Sequence, residues 1–164
     1  MTVYTTIDSP LGELLLAGKR AGDGVVLTAL SMSGGKGAVI RPDWVQDRAA
    51  FANVIDQLAG YFAGERTEFE LEMSSSGSEF QDQVWQALDA VPYGTTVTYG
   101  EIAARIGAPR AAIRAVGAAI GANPLLIVRP CHRVIGANGS LTGYAGGLPR
   151  KQQLLVLERV LLAA

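Results

Sequence analysis

The sequence predicts an α+β chain in which a run of strands comes first and a run of helices follows. Three observations carry this. Apolar and polar residues alternate through much of residues 2–31, helical spacing takes over from about Asp47, and Met73-Ser74-Ser75-Ser76-Gly77 interrupts both patterns. The expected organisation is an N-terminal α/β domain over 1–73, a linker over 74–77 and a largely helical domain over 78–164.

In the first part, strands are expected over 3–7, 13–16 and 24–30. Asp8-Ser9-Pro10-Leu11-Gly12 is the turn between the first two, and Ser31 to Gly37 reads as loop. Phe51, Val54, Ile55, Leu58 and Phe62 recur at helical spacing between Asp47 and Ala63, and Gly64 ends the run. A short strand is expected over 68–71.

In the second part, Ser78-Glu79-Phe80-Gln81 has the capping-box pattern, and its helix carries Phe80, Val84, Trp85 and Leu88 on one side. Pro92-Tyr93-Gly94 breaks it. Two tightly joined helices follow, 99–106 and 109–122, with Pro109 expected at the first helical position. That layout fits a helix-turn-helix and equally an ordinary helical hairpin. The second helix has almost no side-chain bulk, with Ala111, Ala112, Ala115, Gly117, Ala118, Ala119 and Gly121. It could enter a narrow groove or pack closely against another helix. Leu154, Leu155, Leu157, Val160 and Leu161 describe a terminal helix from about Pro149.

Nearly half of the 164 residues are apolar, enough for a proper core. The opening residues lack the charged and apolar regions of a signal peptide, and Leu14-Leu15-Leu16-Ala17 is far too short to span a bilayer. One cysteine and one histidine exclude an internal disulfide, argue against a structural zinc site and suit the cytoplasm. Net charge is only −1, but it is unevenly spread. Residues 1–91 hold six basic against thirteen acidic residues, a balance of −7. Residues 92–157 hold Arg105, Arg110, Arg114, Arg129, Arg133, Arg150 and Lys151 against Glu101 alone, a balance of +6. The second half is therefore the one expected to meet a polyanion.

Chemistry concentrates at Arg129-Pro130-Cys131-His132-Arg133. A thiolate is the reactive form of cysteine, and surrounding positive charge is expected to favour it. An acid could hold the imidazole, and Glu101 and Glu158 are the candidates. On pattern alone Glu158 fits a solvated helix position as well. Chain neighbours point apart, by about 100° on a helix, so a water is the easier bridge between Cys131 and His132. A cysteine hydrolase with a Cys131–His132–Glu158 relay is compatible with these residues.

Pro130-Cys131-His132-Arg133-Val134 closely resembles the signature of the O6-alkylguanine-DNA alkyltransferases. Arg114-Ala115-Val116-Gly117, Asn123-Pro124, Gly143-Tyr144-Ala145-Gly146-Gly147 and Glu158 stand in that family's order and spacing. Thr6-Ile7-Asp8-Ser9-Pro10-Leu11-Gly12 and Tyr61-Phe62-Ala63-Gly64 extend the resemblance over nearly the whole chain. The resemblance implies a ribonuclease-H-like first domain and a winged-helix-like helix-turn-helix that docks in the minor groove of double-stranded DNA. It implies irreversible transfer of an alkyl group from O6-alkylguanine, and also from O4-alkylthymine, to Cys131. Glu158, His132 and a water would form the relay, Tyr99 would protonate the departing base, and Asn123 would brace the active-site turn. Val134, Tyr144, Ala145 and Gly146 would line the pocket, with backbone at Cys131 and Val134 reading the guanine's amino edge. Arg114 would fill the gap left by the flipped base, and Thr98, Arg110, Ala115, Gly117 and Ala118 would contact DNA. It further implies no metal, no cofactor, no membrane and a monomer able to cluster along DNA. Two features depart from the family: Arg129, where an apolar residue is usual, and Ile113, one residue extra before Arg114.

Overall fold

The computed structural model describes residues 1–37 and 39–161. Residues 162–164, the end of the expected second domain, lie outside the described residues. The chain divides into two compact units, Met1–Ser75 and Ser76–Ala164. The class is α+β, with a sheet unit first and a helical unit second.

In the first unit β1 (Thr2–Ile7), β2 (Leu14–Ala21) and β3 (Gly24–Met32) form an antiparallel meander. Alternation along β1 buries Val3, Thr5 and Ile7 on one face. In the turn before β2 the Ser9 hydroxyl accepts from Leu11 N–H at 3.1 Å, and Gly12 takes a φ of 97°. Gly18 sits at a bulge where a Cβ would lie 2.4 Å from the Val26 carbonyl oxygen, so no other residue fits. A two-residue strand, β4 (Val45–Gln46), pairs parallel with β1 and completes the order β3-β2-β1-β4. Two residues are too few to show alternation, so the sequence gives no sign of β4.

Three expectations here need correction. β3 runs on through Ser31 and Met32, which pair with Leu15 and Leu14, where loop was expected. The expected helix over 47–63 is a 3-10 turn, Arg48–Phe51, capped by the Asp47 side chain, and then α1 (Ala52–Phe62). Residues 68–71 form no strand. The side-chain amide of Gln57 takes the place of a partner strand, accepting from Glu70 N–H at 2.8 Å and donating to its carbonyl at 3.1 Å. Only Leu27 and Met73 then make an isolated bridge. Phe51, Val54, Leu58 and Tyr61 join Val3, Leu14, Leu16, Leu27 and Leu30 as the buried residues of this unit.

The second unit opens with α2 (Glu79–Asp89), whose Ser78–Gln81 capping box is complete. Its Trp85 donates from Nε1 to the Ala119 carbonyl at 2.9 Å, tying it to a later helix. β5 (Val97–Thr98) leads into α3 (Tyr99–Arg105) through a second capping box, Thr98 with Glu101. That removes Glu101 as a partner for the histidine, because its carboxylate accepts from Thr98 N–H at 3.2 Å. Pro109 is extended (ψ 157°) and precedes a 3-10 turn, Arg110–Ala112, rather than opening an α-helix. α4 begins only at Ile113 and runs to Gly121, so the 3-10 turn takes up the extra residue. Val116, Ala119 and Ile120 face inward. Ala111, Ala115, Ala118 and Gly121 are exposed, which excludes tight helix packing as the reason for those four small residues.

β6 (Val134–Ile135) pairs parallel with β5, and α5 (Leu148–Leu157) closes the unit. α5 stops short of Val160 and Leu161, contrary to the apolar pattern. Arg159 turns left-handed at φ 62°, and Arg159 N–H and Val160 N–H return to the carbonyls of Val156 and Leu155 at 3.0 and 2.9 Å. An exposed arginine in that conformation costs roughly 1–2 kcal/mol that glycine avoids. Arg159→Gly is therefore expected to raise unfolding stability by about 0.5–1 kcal/mol in denaturant titrations, and a loss would contradict this reading of the helix end.

Candidate active site

The site is built on a chain segment that no regular element supports. Val128 N–H reaches back to the Leu126 carbonyl at 2.8 Å, closing a γ-turn around buried Ile127 at φ 70°. A β-branched residue there is strained, at a cost on the order of 1–3 kcal/mol. Cys131 N–H then reaches the Arg129 carbonyl at 2.8 Å, a second three-residue turn around Pro130. Asn123 holds these turns from inside. Its amide nitrogen donates to the carbonyls of Leu125 and Arg129 at 3.3 Å each, and its oxygen accepts from Leu125 N–H at 3.0 Å. The Asn123 amide also lies close enough to the Cys131 sulfur to favour its thiolate.

Cys131, His132 and Arg133 form a buried 3-10 turn. His132 is fully buried, and its Nε2 lies 2.7 Å from Glu158 Oε2. The same carboxylate accepts from Arg133, from Nε at 2.7 Å and from Nη2 at 3.1 Å, while Arg133 Nη1 donates to the Val91 carbonyl at 2.7 Å. Two guanidinium bonds favour the ionised carboxylate, which can only accept. Nε2 must then carry the proton, and Nδ1 is left with a bare lone pair. Nδ1 is buried with no protein partner. The neutral ring is thus set up as a base on the side away from Glu158.

Sequence reasoning expected cations around Cys131 to favour its thiolate, and burial reverses this. Burial pushes the thiol up to about 11, against weaker downward pulls from the Asn123 hydrogen bond, Lys151 and Arg129. Burial likewise lowers His132 below its ordinary value, outweighing Glu158, so the resting pair is thiol and neutral imidazole. Arg129, Arg133 and Lys151 are also unavailable to a polyanion, being 7, 7 and 0 % exposed. Arg105, Arg110 and Arg114 remain on the outer face of the helix pair, the last two beside exposed Ala115 and Ala118.

Lys151 is a site residue that sequence reasoning missed. Its ammonium donates to the carbonyls of Val134, Thr142 and Gly143 at 2.5, 2.7 and 3.2 Å, joining α5 to β6 and to the loop before Tyr144. Burial lowers it to about 8. The signal was present: Lys151, Leu154, Leu155 and Glu158 are spaced to share one helix face. In the adjoining loop Tyr144 stands edge-on to His132, with ring centres 6.5 Å apart, beside half-buried Ala145 and buried Gly146. Tyr99, first residue of α3, accepts at its hydroxyl from Thr142 Oγ1 at 2.9 Å. A Cβ on Gly117 would lie 3.8 Å from the Tyr99 ring. Thr98 serves as helix cap. No cluster of three metal-ligating side chains occurs among the described residues, and no described helix is long and apolar enough to cross a membrane.

An imidazole locked onto a buried carboxylate next to a lone cysteine is an arrangement able to activate a sulfur nucleophile. The chain belongs to the 6-O-methylguanine DNA methyltransferase family, whose ribonuclease-like domain matches residues 2–74 and whose DNA binding domain matches residues 79–160. It is 57% identical over 159 residues to a methylated-DNA–protein-cysteine methyltransferase of Mycolicibacterium paratuberculosis, covering 97% of this chain and 93% of that one. A protein of the same name from Methanosarcina acetivorans is 49% identical over 94% of this chain and 97% of its own length. Among solved structures, Mycobacterium tuberculosis OGT in complex with DNA superposes with a TM-score of 0.87 at 54% identity, covering 96% of this chain and 92% of that one.

The buried histidine has a consequence for stability. Between its lowered folded value and the ordinary 6.5, an unfolded chain binds a proton that the folded chain refuses. Stability should therefore fall as pH drops through 6.5, by at most about 1.4 kcal/mol per pH unit for this group. Urea titrations at stepped pH test this, and a rise in stability on mild acidification would contradict it.

Proposed function

We propose that this chain is a DNA repair protein that takes an alkyl group from O6-alkylguanine in duplex DNA onto Cys131, once per molecule. The observation that carries the proposal is the lone Cys131 beside a His132 base whose other nitrogen is fixed by Glu158. Family membership and the DNA complex of the M. tuberculosis relative support the same reading. O4-alkylthymine is the second substrate we propose.

The thiol proton passes through a water to His132 Nδ1, leaving a thiolate paired with an imidazolium that Glu158 stabilises. The sulfur attacks the saturated alkyl carbon as the carbon–O6 bond breaks, and the electron pair leaves on the guanine. Tyr99 donates its proton to the developing anion, as a general acid must for so poor a leaving group. The products are unmodified guanine and a thioether. No acyl bond forms for water to cleave, and the chain has no second cysteine to reverse the bond. The hydrolase reading is not favoured, since the family and its named relatives are methyltransferases.

The base must leave the stack to reach a buried sulfur, at a cost of a few kcal/mol. We assign Arg114 to the space it vacates, and Thr98, Arg110, Ala115, Gly117 and Ala118 to contacts with DNA. A minor groove roughly 6 Å wide refuses an ordinary helix about 10–12 Å across. Exposed Ala115, Ala118 and Gly121 trim α4 on its outer side, and exposed Ala111 trims the turn before it. Tyr144, Ala145 and Gly146 would close over the base. The Val134 carbonyl already accepts from Lys151, so its second lone pair would take the guanine amine. The lone thiol suits the reducing cytoplasm, and the chain would act there as a monomer able to cluster on DNA.

Intact-protein mass spectrometry tests the proposal. With an O6-methylguanine duplex the wild type should gain one methyl group permanently, whereas Cys131→Ser should bind the duplex and gain nothing. Arg114→Ala should slow transfer from the duplex about tenfold or more, yet leave transfer from free O6-benzylguanine unchanged. Equal losses on both substrates would remove Arg114 from the flipping role, and an unaltered wild-type mass would refute the proposal.

A further inference from the structure

Arg129 stands two residues before the cysteine. Its guanidinium lies 5.2 Å above the Trp85 ring of α2, and its Nε donates to Asp89 Oδ1 at 3.1 Å from a side chain only 8% exposed. Nη1 then donates to Asn123 Oδ1 at 3.4 Å. A guanidinium can only donate, and so can the Leu125 N–H that shares that oxygen at 3.0 Å. With both donors on Oδ1, the Asn123 carboxamide cannot flip. Its nitrogen is left to the Leu125 and Arg129 carbonyls, on the side near the sulfur.

We propose that Arg129 is a positioning residue for alkyl transfer: anchored on Trp85 and Asp89, it holds the Asn123 amide donor toward Cys131 and adds positive charge beside the sulfur. The inference rests on the reading of Cys131 as the alkyl acceptor. A thiolate needs donors and cations, and the groups around it are few. Lys151 of α5 and Arg129 both favour it, while the ring of the neighbouring His132 is held by Glu158, whose charge Arg133 offsets. Arg129's own charge is shared with Asp89, which is 40% exposed on the far side. Less sharing leaves more of that charge for the sulfur.

Two substitutions in the full-length chain should shift thiolate formation in opposite directions. Arg129→Gln keeps a side chain able to reach Asn123 but drops the charge. Asp89→Asn leaves Arg129 in place and removes its competing anion. Cys131 is the only thiol, so its ultraviolet thiolate absorbance against pH, taken as the difference from the same chain carrying Cys131→Ser to cancel the five tyrosines, reports the site. At a fixed pH below the midpoint, Arg129→Gln should hold about tenfold less thiolate and Asp89→Asn about threefold more. The rate of benzyl transfer from free O6-benzylguanine should follow the same order. A purely structural Arg129 would move neither midpoint, or would move both upward as the loop loosens, and either result overturns the proposal. Should Arg129→Gln fail to fold, Asp89→Asn is read against Asp82→Asn, which removes an equal charge from the same helix, and an equal fall in the two overturns the proposal. Wild-type mass gain is read in the same samples: its absence would refute the alkyl-acceptor reading, whereas unshifted midpoints with normal mass gain refute only the role of Arg129.

Discussion

Glu158 is a carboxylate buried at the C-terminal cap of α5, where desolvation and the negative end of the helix both oppose its charge. It is tolerable only because Arg133 grips both of its oxygens and His132 donates to one. Much of the second unit follows from satisfying that one group. Arg133 must be buried, so Val91 supplies a carbonyl for the remaining guanidinium nitrogen. His132 must present Nε2 to the carboxylate, which turns Nδ1 away as a free base. The 3-10 turn at Cys131–Arg133 delivers the histidine and the arginine to one carboxylate.

The segment before the cysteine is held by a different device, with polar bonds in place of regular structure. Ile127 is strained, and the turns on either side of it survive because the Asn123 amide satisfies them from within. Lys151 does comparable work on the other side, collecting three carbonyls from β6 and the 142–143 loop. A cysteine in such a pocket is quiet at rest, because burial outweighs the nearby cations. In the proposed reaction the sulfur is activated by moving one proton to His132, with no standing thiolate. A buried thiol that stays protonated resists casual oxidation.

Much of this was legible in the sequence, for identifiable reasons. The Ser78–Gln81 capping box, the meander of the first unit and the Cys131-His132 pair all depend on local pattern, and local pattern survives folding. What failed to show depends on distant partners. Gln57 standing in for a strand beside Glu70 cannot be read from either segment alone. The end of α5 at Leu157 turns on a left-handed Arg159, which looks like any surface arginine. The basic surplus of the second half overstated its outward charge, since Arg129, Arg133 and Lys151 point inward. Residue pattern alone left both Glu101 and Glu158 as candidates; the family resemblance pointed to Glu158, and capping geometry occupies Glu101.

The central claim is that Glu158, kept ionised by Arg133, fixes His132 as a neutral base with its proton on Nε2. The chain has one histidine, so nitrogen NMR of the imidazole gives a single pair of signals to assign. Near neutral pH the wild type should show a protonated Nε2 and an unprotonated Nδ1. A proton found on Nδ1, or on both nitrogens of the resting protein, would contradict the account.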